Sequence, residues 1–99
     1  MNIKENTLVF RLGDKDNIVK SDTKSNIKNF IADLDGLDLS VVNKIKDKLL
    51  IFAQSIDKKN ASFVVVYSIS FDDELVIVPT MQEAYDYIEM EELERQLEF

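Results

Sequence analysis

The sequence contains no histidine and no cysteine, and these two absences exclude most of the common catalytic and metal centres. A chain without them holds no Ser-His-Asp or Cys-His nucleophile system. Zinc sites built on imidazole or thiolate are excluded as well. The lack of cysteine also excludes disulfide bonds, which favours a cytoplasmic location. What remains is carboxylate chemistry, lysine chemistry or an oxygen-ligated metal.

Glycine and proline are scarce, with two residues and one residue respectively. No apolar run approaches the roughly 20 residues that a membrane-spanning helix needs, so no membrane contact is expected. The first residues hold no long apolar stretch, and a secretory signal is therefore not expected. The chain has 99 residues, 45% of them hydrophobic and 31% charged, which predicts one globular domain over residues 1–99.

Negative charge is concentrated near the carboxyl terminus. Residues 79–99 carry seven acids and one base, a formal charge of −6, whereas residues 1–78 sum to −1. Phosphate recognition needs a basic patch, so an acidic chain of this kind is not expected to bind nucleic acid. A surface that separates charge in this way favours contact with a partner protein over catalysis.

The hydrophobic pattern predicts an α/β domain with a small mixed sheet of four or five strands and two or three helices. Alternation predicts that the first strand is half-buried, whereas the continuous apolar run SFVVVYSI is typical of a strand buried on both faces. Residues 13–28 are weakly defined, as a short strand, a loop or a poorly formed helix. The remaining elements are strands at 7–12, 30–34, 62–69 and 75–78, a helix from 38–40 to 57–60, and a final helix from Thr80.

Capping residues mark the start of both helices. Asp38 or Ser40 is expected to cap the first helix, because a short side-chain oxygen accepts free first-turn amides. Thr80 and Glu83 form a T-x-x-E capping box for the final helix. Pro79 is expected to end the preceding strand, because proline has no amide hydrogen to donate.

The final helix has two apolar faces, since Met81, Ala84, Tyr85 and Ile88 lie nearly opposite a second stripe. That stripe consists of Met90, Leu93 and Leu97. Either the helix bends or breaks near Glu89–Glu92, or the second stripe docks elsewhere. It then folds back on its own domain or contacts another protein or another copy of this chain. The basic helix at 44–59 is a candidate complement, within the monomer or between copies.

The order of elements, together with the segments FIADLDGLD, SFVVV, LVIVPT and MQEAYDYIEMEELERQLEF, resembles a STAS-type domain. This is the fold of sulphate-transporter cytoplasmic domains and anti-sigma-factor antagonists. The resemblance is specific over roughly 61–99, loose over 29–60 and poor over 13–28, where the family usually carries a first helix. It is strongest to small stand-alone bacterial STAS-like proteins, some of which carry the name ribonuclease Z. That zinc enzyme needs several histidines, so this chain cannot have its activity.

The resemblance implies a non-catalytic regulatory or protein-interaction module without a cofactor. Antagonists of the family carry a phosphorylatable serine in an Asp-Ser-Ser-Gly stretch, and here only Asp38 and Ser40 match it. Ser40 is thus a candidate phosphosite, with a plain N-cap serine as the alternative. The residues expected to contact a partner are Asp38, Ser40, Met90, Leu93 and Leu97.

Two further functions are left open by the residues. Carboxylates near predicted strand ends could bind Mg²⁺, Ca²⁺ or a small ligand. The alternative is that these acids are solvated turn residues. The carboxylates in question are Asp33, Asp35, Asp38, Asp72, Asp73 and Glu74. The second function is that of a self-assembling structural protein joined through Met90, Leu93 and Leu97.

Overall fold

The computed structural model describes residues 2–4, 7–11, 28–56 and 61–97. Their backbone forms five strands and two helices, which confirms the predicted α/β class. Residues 13–27 of the weakly defined segment lie outside the described residues, as do residues 57–60. The elements are β1 Asn2–Lys4, β2 Thr7–Phe10, β3 Asn29–Asp33, α1 Leu39–Ser55, β4 Ser62–Val66, β5 Ile77–Val78 and α2 Met81–Leu97.

The five strands form one mixed sheet in the order β1-β2-β3-β4-β5. Strand β1 pairs with β2 in antiparallel orientation, and β2, β3, β4 and β5 are mutually parallel neighbours. The register places Thr7 opposite Asn29, and Asn29 opposite Ser62. The first residues of the three central strands therefore form a row across one end of the sheet.

Helix α1 packs on one face of the sheet. Its buried residues recur at helical spacing and meet inward side chains of β2, β3 and β4. Phe52 is at the centre of this layer, with ring centroids 5.1 Å from Phe30 and 4.9 Å from Phe63. Ring contacts of this kind add roughly 0.5–1.5 kcal/mol to the burial of their area. The buried residues of α1 are Val42, Ile45, Leu49 and Phe52.

Helix α2 covers the opposite face of the sheet. Ala84 and Ile88 are buried against Val9, Ile31 and Val64. Strand β2, which corresponds to the strand predicted at 7–12, is therefore covered on both faces. The prediction that this strand is half-buried is wrong. The alternation in β2 correctly separates its two faces, but it cannot show that a distant helix covers the second one.

The start of α2 follows the prediction. The backbone amide of Glu83 donates to Thr80 Oγ1 at 3.2 Å, which is the Thr80 half of a capping box. Strand β5 ends at Val78, directly before Pro79. None of the helices in the described ranges is long and apolar enough to cross a membrane.

Candidate functional site

The inner face of α2 changes character halfway along the helix. Ala84 and Ile88 are buried there in the first half. Glu91 and Arg95, which are seven residues further along, occupy the same angular positions because seven residues complete nearly two turns. The first half of α2 is therefore held to the sheet by apolar packing and the second half by polar contacts.

These polar contacts meet two buried side chains at the start of neighbouring strands. Asn29 is the first residue of β3 and is fully buried, and Ser62 is the first residue of β4 and is 3% exposed. A buried polar group without a hydrogen-bond partner costs about 1–3 kcal/mol, so these side chains require partners. Helix α2 ends at this edge of the sheet and supplies them.

A network of four hydrogen bonds joins α2 to the two strands. Ser62 Oγ donates to Glu91 Oε1 at 2.6 Å, and Asn29 Nδ2 donates to Glu92 Oε2 at 3.0 Å. Arg95 donates from Nη1 to Ser62 Oγ at 3.1 Å and from Nη2 to Asn29 Oδ1 at 3.4 Å. We call these five residues the polar anchor. It fixes the rotation of α2 about its own axis, because each carboxylate reaches a different strand.

Tyr87 extends the polar anchor by one turn towards the start of α2. Its hydroxyl donates to Glu91 Oε2 at 3.0 Å. Partial burial, this hydrogen bond and the negative charges of Glu91 and Glu94 together raise the pKa of Tyr87 to about 12. Tyr87 therefore stays neutral near physiological pH and remains a hydrogen-bond donor to Glu91.

The outer face of the second half of α2 is apolar and exposed. Met90, Leu93 and Leu97 are 64%, 57% and 69% exposed. Helix α2 is continuous from Met81 to Leu97, so it does not break near Glu89–Glu92. The alternative in which the stripe folds back on its own domain is wrong, because its three side chains are exposed. The physical reason is the polar anchor, which satisfies two buried strand residues and so turns the opposite side outward.

Acidic side chains border this outer stripe. Asp86 lies at its amino-terminal end, Glu89 on one side and Glu94 on the other, and all three are exposed. Arg95, the basic residue of α2, faces inward in the polar anchor. The outer face thus combines an apolar ridge with an uncompensated negative rim on α2.

Helix α1 begins on a different part of the molecule. Asp38 occupies the N-cap position without a side-chain capping bond, and Ser40 lies in the first turn. The interpretation of Ser40 as an N-cap serine is therefore wrong, because the helix begins one residue before it. Asp38 and Ser40 are both exposed.

The predicted contact residues form two separate surfaces. Asp38 and Ser40 follow the carboxyl end of β3, whereas the second half of α2 lies at the amino end of the same strand, on the opposite face of the sheet. The sheet also separates α1 from α2. The expected pairing of the basic helix with the final helix inside one monomer is therefore wrong.

Two of the carboxylates near strand ends, Asp33 and Asp72, accept hydrogen bonds within turns. Asp33 Oδ2 lies 3.0 Å from Arg11 Nη1, and Asp33 Oδ1 accepts from the Asp35 amide at 3.1 Å. Asp72 Oδ1 accepts from the Glu74 amide at 2.8 Å. Within the described ranges no three acids come together as a metal-ligand set. These contacts are those of turn residues.

A small cleft lies beside the polar anchor, and of the candidate carboxylates only Glu74 lines it. Its volume is about 120 Å³, and the other polar residues of its lining are Ser62, Tyr87 and Glu91. Small-molecule sites usually enclose roughly 300–1,000 Å³, so this cleft is small for an organic ligand. Ser62, Tyr87 and Glu91 are already engaged with one another.

The polar anchor could not be predicted from the sequence. Two signals were present: single polar residues at the start of apolar strands, and one arginine within an acidic helix, three and four residues after Glu92 and Glu91. Neither signal shows that these residues meet, because that depends on how the strands pair and where α2 crosses them.

Comparison of the chain with models of protein families, with curated proteins and with solved structures gave no significant match. The resemblance to STAS-type domains therefore stays a prediction.

Proposed function

We propose that this protein is a non-catalytic protein-interaction module whose partner binds the outer face of the second half of α2. The observation that carries the proposal is the inversion of α2. In this half Glu91 and Arg95 bond to the strands, whereas the apolar stripe faces solvent. A helix that only covers the sheet needs the opposite arrangement.

The energetics support a binding role for the stripe. Exposed apolar residues scattered singly over a surface are ordinary, but Met90, Leu93 and Leu97 lie together within about two turns. Full burial of each such side chain is worth roughly 1.5–3 kcal/mol relative to exposure. A partner that covers all three gains part of that free energy, after the costs of association.

The same geometry supports a role without catalysis. Asp33 and Asp72 each accept a backbone amide in a turn. Glu91 belongs to the polar anchor, and its neighbour Tyr87 is kept neutral by its surroundings. General acid–base catalysis needs a titratable group within reach of a bound substrate. The cleft of about 120 Å³ beside Glu91 offers little room for one.

The test compares two variants with the same change of charge. Leu93→Glu places a carboxylate in the stripe, and Ile51→Glu places one on α1, where Ile51 is 67% exposed on the opposite side of the sheet. Tagged wild-type protein and both variants are cross-linked in native cells, captured and quantified by mass spectrometry. We expect proteins captured by wild type to be lost with Leu93→Glu and kept with Ile51→Glu. Identical captured sets for all three proteins would exclude α2 as the contact surface.

The STAS resemblance gives the proposal a regulatory form, that of a cytoplasmic antagonist of an anti-sigma factor. Ser40 would then be modified by a partner kinase. Its exposure and its place in the first turn of α1 support this, because a helix amino terminus favours a phosphate group. The test is phosphoproteomics of wild type and Ser40→Ala, with Ser55→Ala at the exposed end of α1 as the control. Absence of phosphate at Ser40 under all growth conditions would remove this form and leave the α2 surface standing.

A further inference from the structure

We infer that the occupant of the outer face of α2 is a basic amphipathic helix of another protein, one whose apolar ridge is bordered by lysine or arginine. This inference rests on the proposed function and names the chemistry of the partner. It follows from the shape of the stripe and from the distribution of charge around it.

The stripe has the dimensions of a helix-packing ridge. Met90, Leu93 and Leu97 follow the spacing i, i+3 and i+7, so they line one side of α2 over about 10 Å. Partner helices are commonly recognised through anchors at i, i+3 or i+4, and i+7. Two helices pack with their axes about 8–10 Å apart, and at that distance side chains flanking both ridges meet as well.

The flanking side chains decide the sign of the partner's charge. Asp86, Glu89 and Glu94 are exposed around the stripe, and Arg95 is turned towards the sheet. A partner helix that covers the stripe therefore brings its own flanking residues next to these acids. Opposite charges there speed association and disfavour wrong partners, whereas like charges raise the cost of docking.

A second copy of this chain fits this surface poorly. Isologous pairing of α2 with α2 would bring the acids of two identical rims together. Packing α2 on the α1 of another copy would match charge, since α1 carries lysines. However, its two exposed large apolar residues, Leu39 and Ile51, lie about 120° apart around the helix and form no common ridge. A different protein can combine an apolar ridge with flanking positive charge.

The test uses synthetic peptides of about 18 residues, long enough to form an isolated helix. The first peptide has leucines at i, i+3, i+4 and i+7 positions with lysines on both flanks. The second replaces those lysines with glutamates, and the third has the composition of the first in scrambled order. Each is labelled and titrated with the full chain by fluorescence anisotropy, at an ionic strength where the screening length is about 8 Å.

We expect the dissociation constant of the lysine peptide for wild type to be at least about tenfold lower than that of either control peptide. Leu93→Glu should weaken this binding about tenfold, although it adds a negative charge, because it removes an apolar contact. Ile51→Glu should leave the affinity of the lysine peptide unchanged. The two variants carry the same net charge, so they separate docking on the stripe from general attraction between an acidic protein and a basic peptide.

Several results would overturn the inference. Equal or tighter binding of the lysine peptide to Leu93→Glu would mean that charge alone drives it, and no binding to wild type would exclude this partner class. Equal affinity for the lysine and glutamate peptides, with both lost in Leu93→Glu, would refute the basic partner and keep the proposed function. Light scattering that shows a dimer in wild type and a monomer in Leu93→Glu would assign the stripe to a second copy.

Discussion

Ser62 Oγ donates a 2.6 Å hydrogen bond to Glu91 Oε1 and thereby joins the first residue of β4 to the middle of α2. The same hydroxyl oxygen accepts a hydrogen bond from Arg95 at 3.1 Å. Its donor and acceptor capacity are thus both used at a buried position. This relationship explains how an acidic helix can lie on an apolar sheet, and why the apolar residues of its second half are left on the outside.

The polar anchor predicts a stability cost at Arg95. In Arg95→Ala, Ser62 and Asn29 each lose a charged donor, and Glu91 and Glu92 lose a nearby positive charge. We expect the free energy of unfolding to fall by about 1–3 kcal/mol, measured by urea denaturation. Gln96→Ala, an exposed neighbour on α2, is the control and should change it by less than about 0.5 kcal/mol.

The same variant predicts a local change in dynamics. Backbone amides in the last turns of α2 should exchange with deuterium faster in Arg95→Ala, while those of the first turns keep the wild-type rate, because Ala84 and Ile88 still pack on the sheet. Uniformly faster exchange along the whole helix would contradict the division of α2 into an apolar half and an anchored half.

The two faces of α2 predict opposite responses to substitution. Ile88→Ala removes a side chain that is 3% exposed and should lower the free energy of unfolding by about 2–4 kcal/mol. Leu93→Glu changes a side chain that is 57% exposed and should alter it by less than about 0.5 kcal/mol. Both are measured by urea denaturation. A large loss in Leu93→Glu would mean that the chain itself covers the stripe.

Much of this fold could be predicted from local pattern. The alternation in β2, the apolar run of β4, the helical spacing in α1 and the Thr80 cap all correspond to observed elements. The existence of two stripes on α2 was also visible, because periodicity is a property of one segment. The sequence does not show which stripe faces the sheet or what fixes that choice. The answer depends on Asn29 and Ser62, which are 33 residues apart in the chain and adjacent only through strand pairing.

The difference between the two helix starts predicts different effects of two similar substitutions. Thr80→Ala removes the oxygen that accepts from the Glu83 amide and should lower the free energy of unfolding by about 1 kcal/mol. Ser40→Ala lies inside the first turn of α1 and should change it by less than about 0.5 kcal/mol. Chemical denaturation of both variants compares them directly. An equal loss in both would mean that Ser40 is a capping residue after all.

The environment of Tyr87 predicts a loss of stability in strong alkali. Folding raises the pKa of this phenol from 10.0 to about 12, mainly through burial and also through Glu91, so the ionised form is less favourable in the folded chain than in the unfolded one. The contribution of Tyr87 is therefore fully present below pH 10 and is lost as the pH rises towards about 12.

Ultraviolet difference titration of wild type against Tyr87→Phe isolates this phenol. We expect its midpoint near 12 in the folded chain and near 10 when the chain is unfolded in urea, with near-ultraviolet circular dichroism confirming that the folded state persists. A midpoint near 10 in the folded chain would mean that neither burial nor the bond to Glu91 acts on Tyr87, and Tyr87 would then not extend the polar anchor.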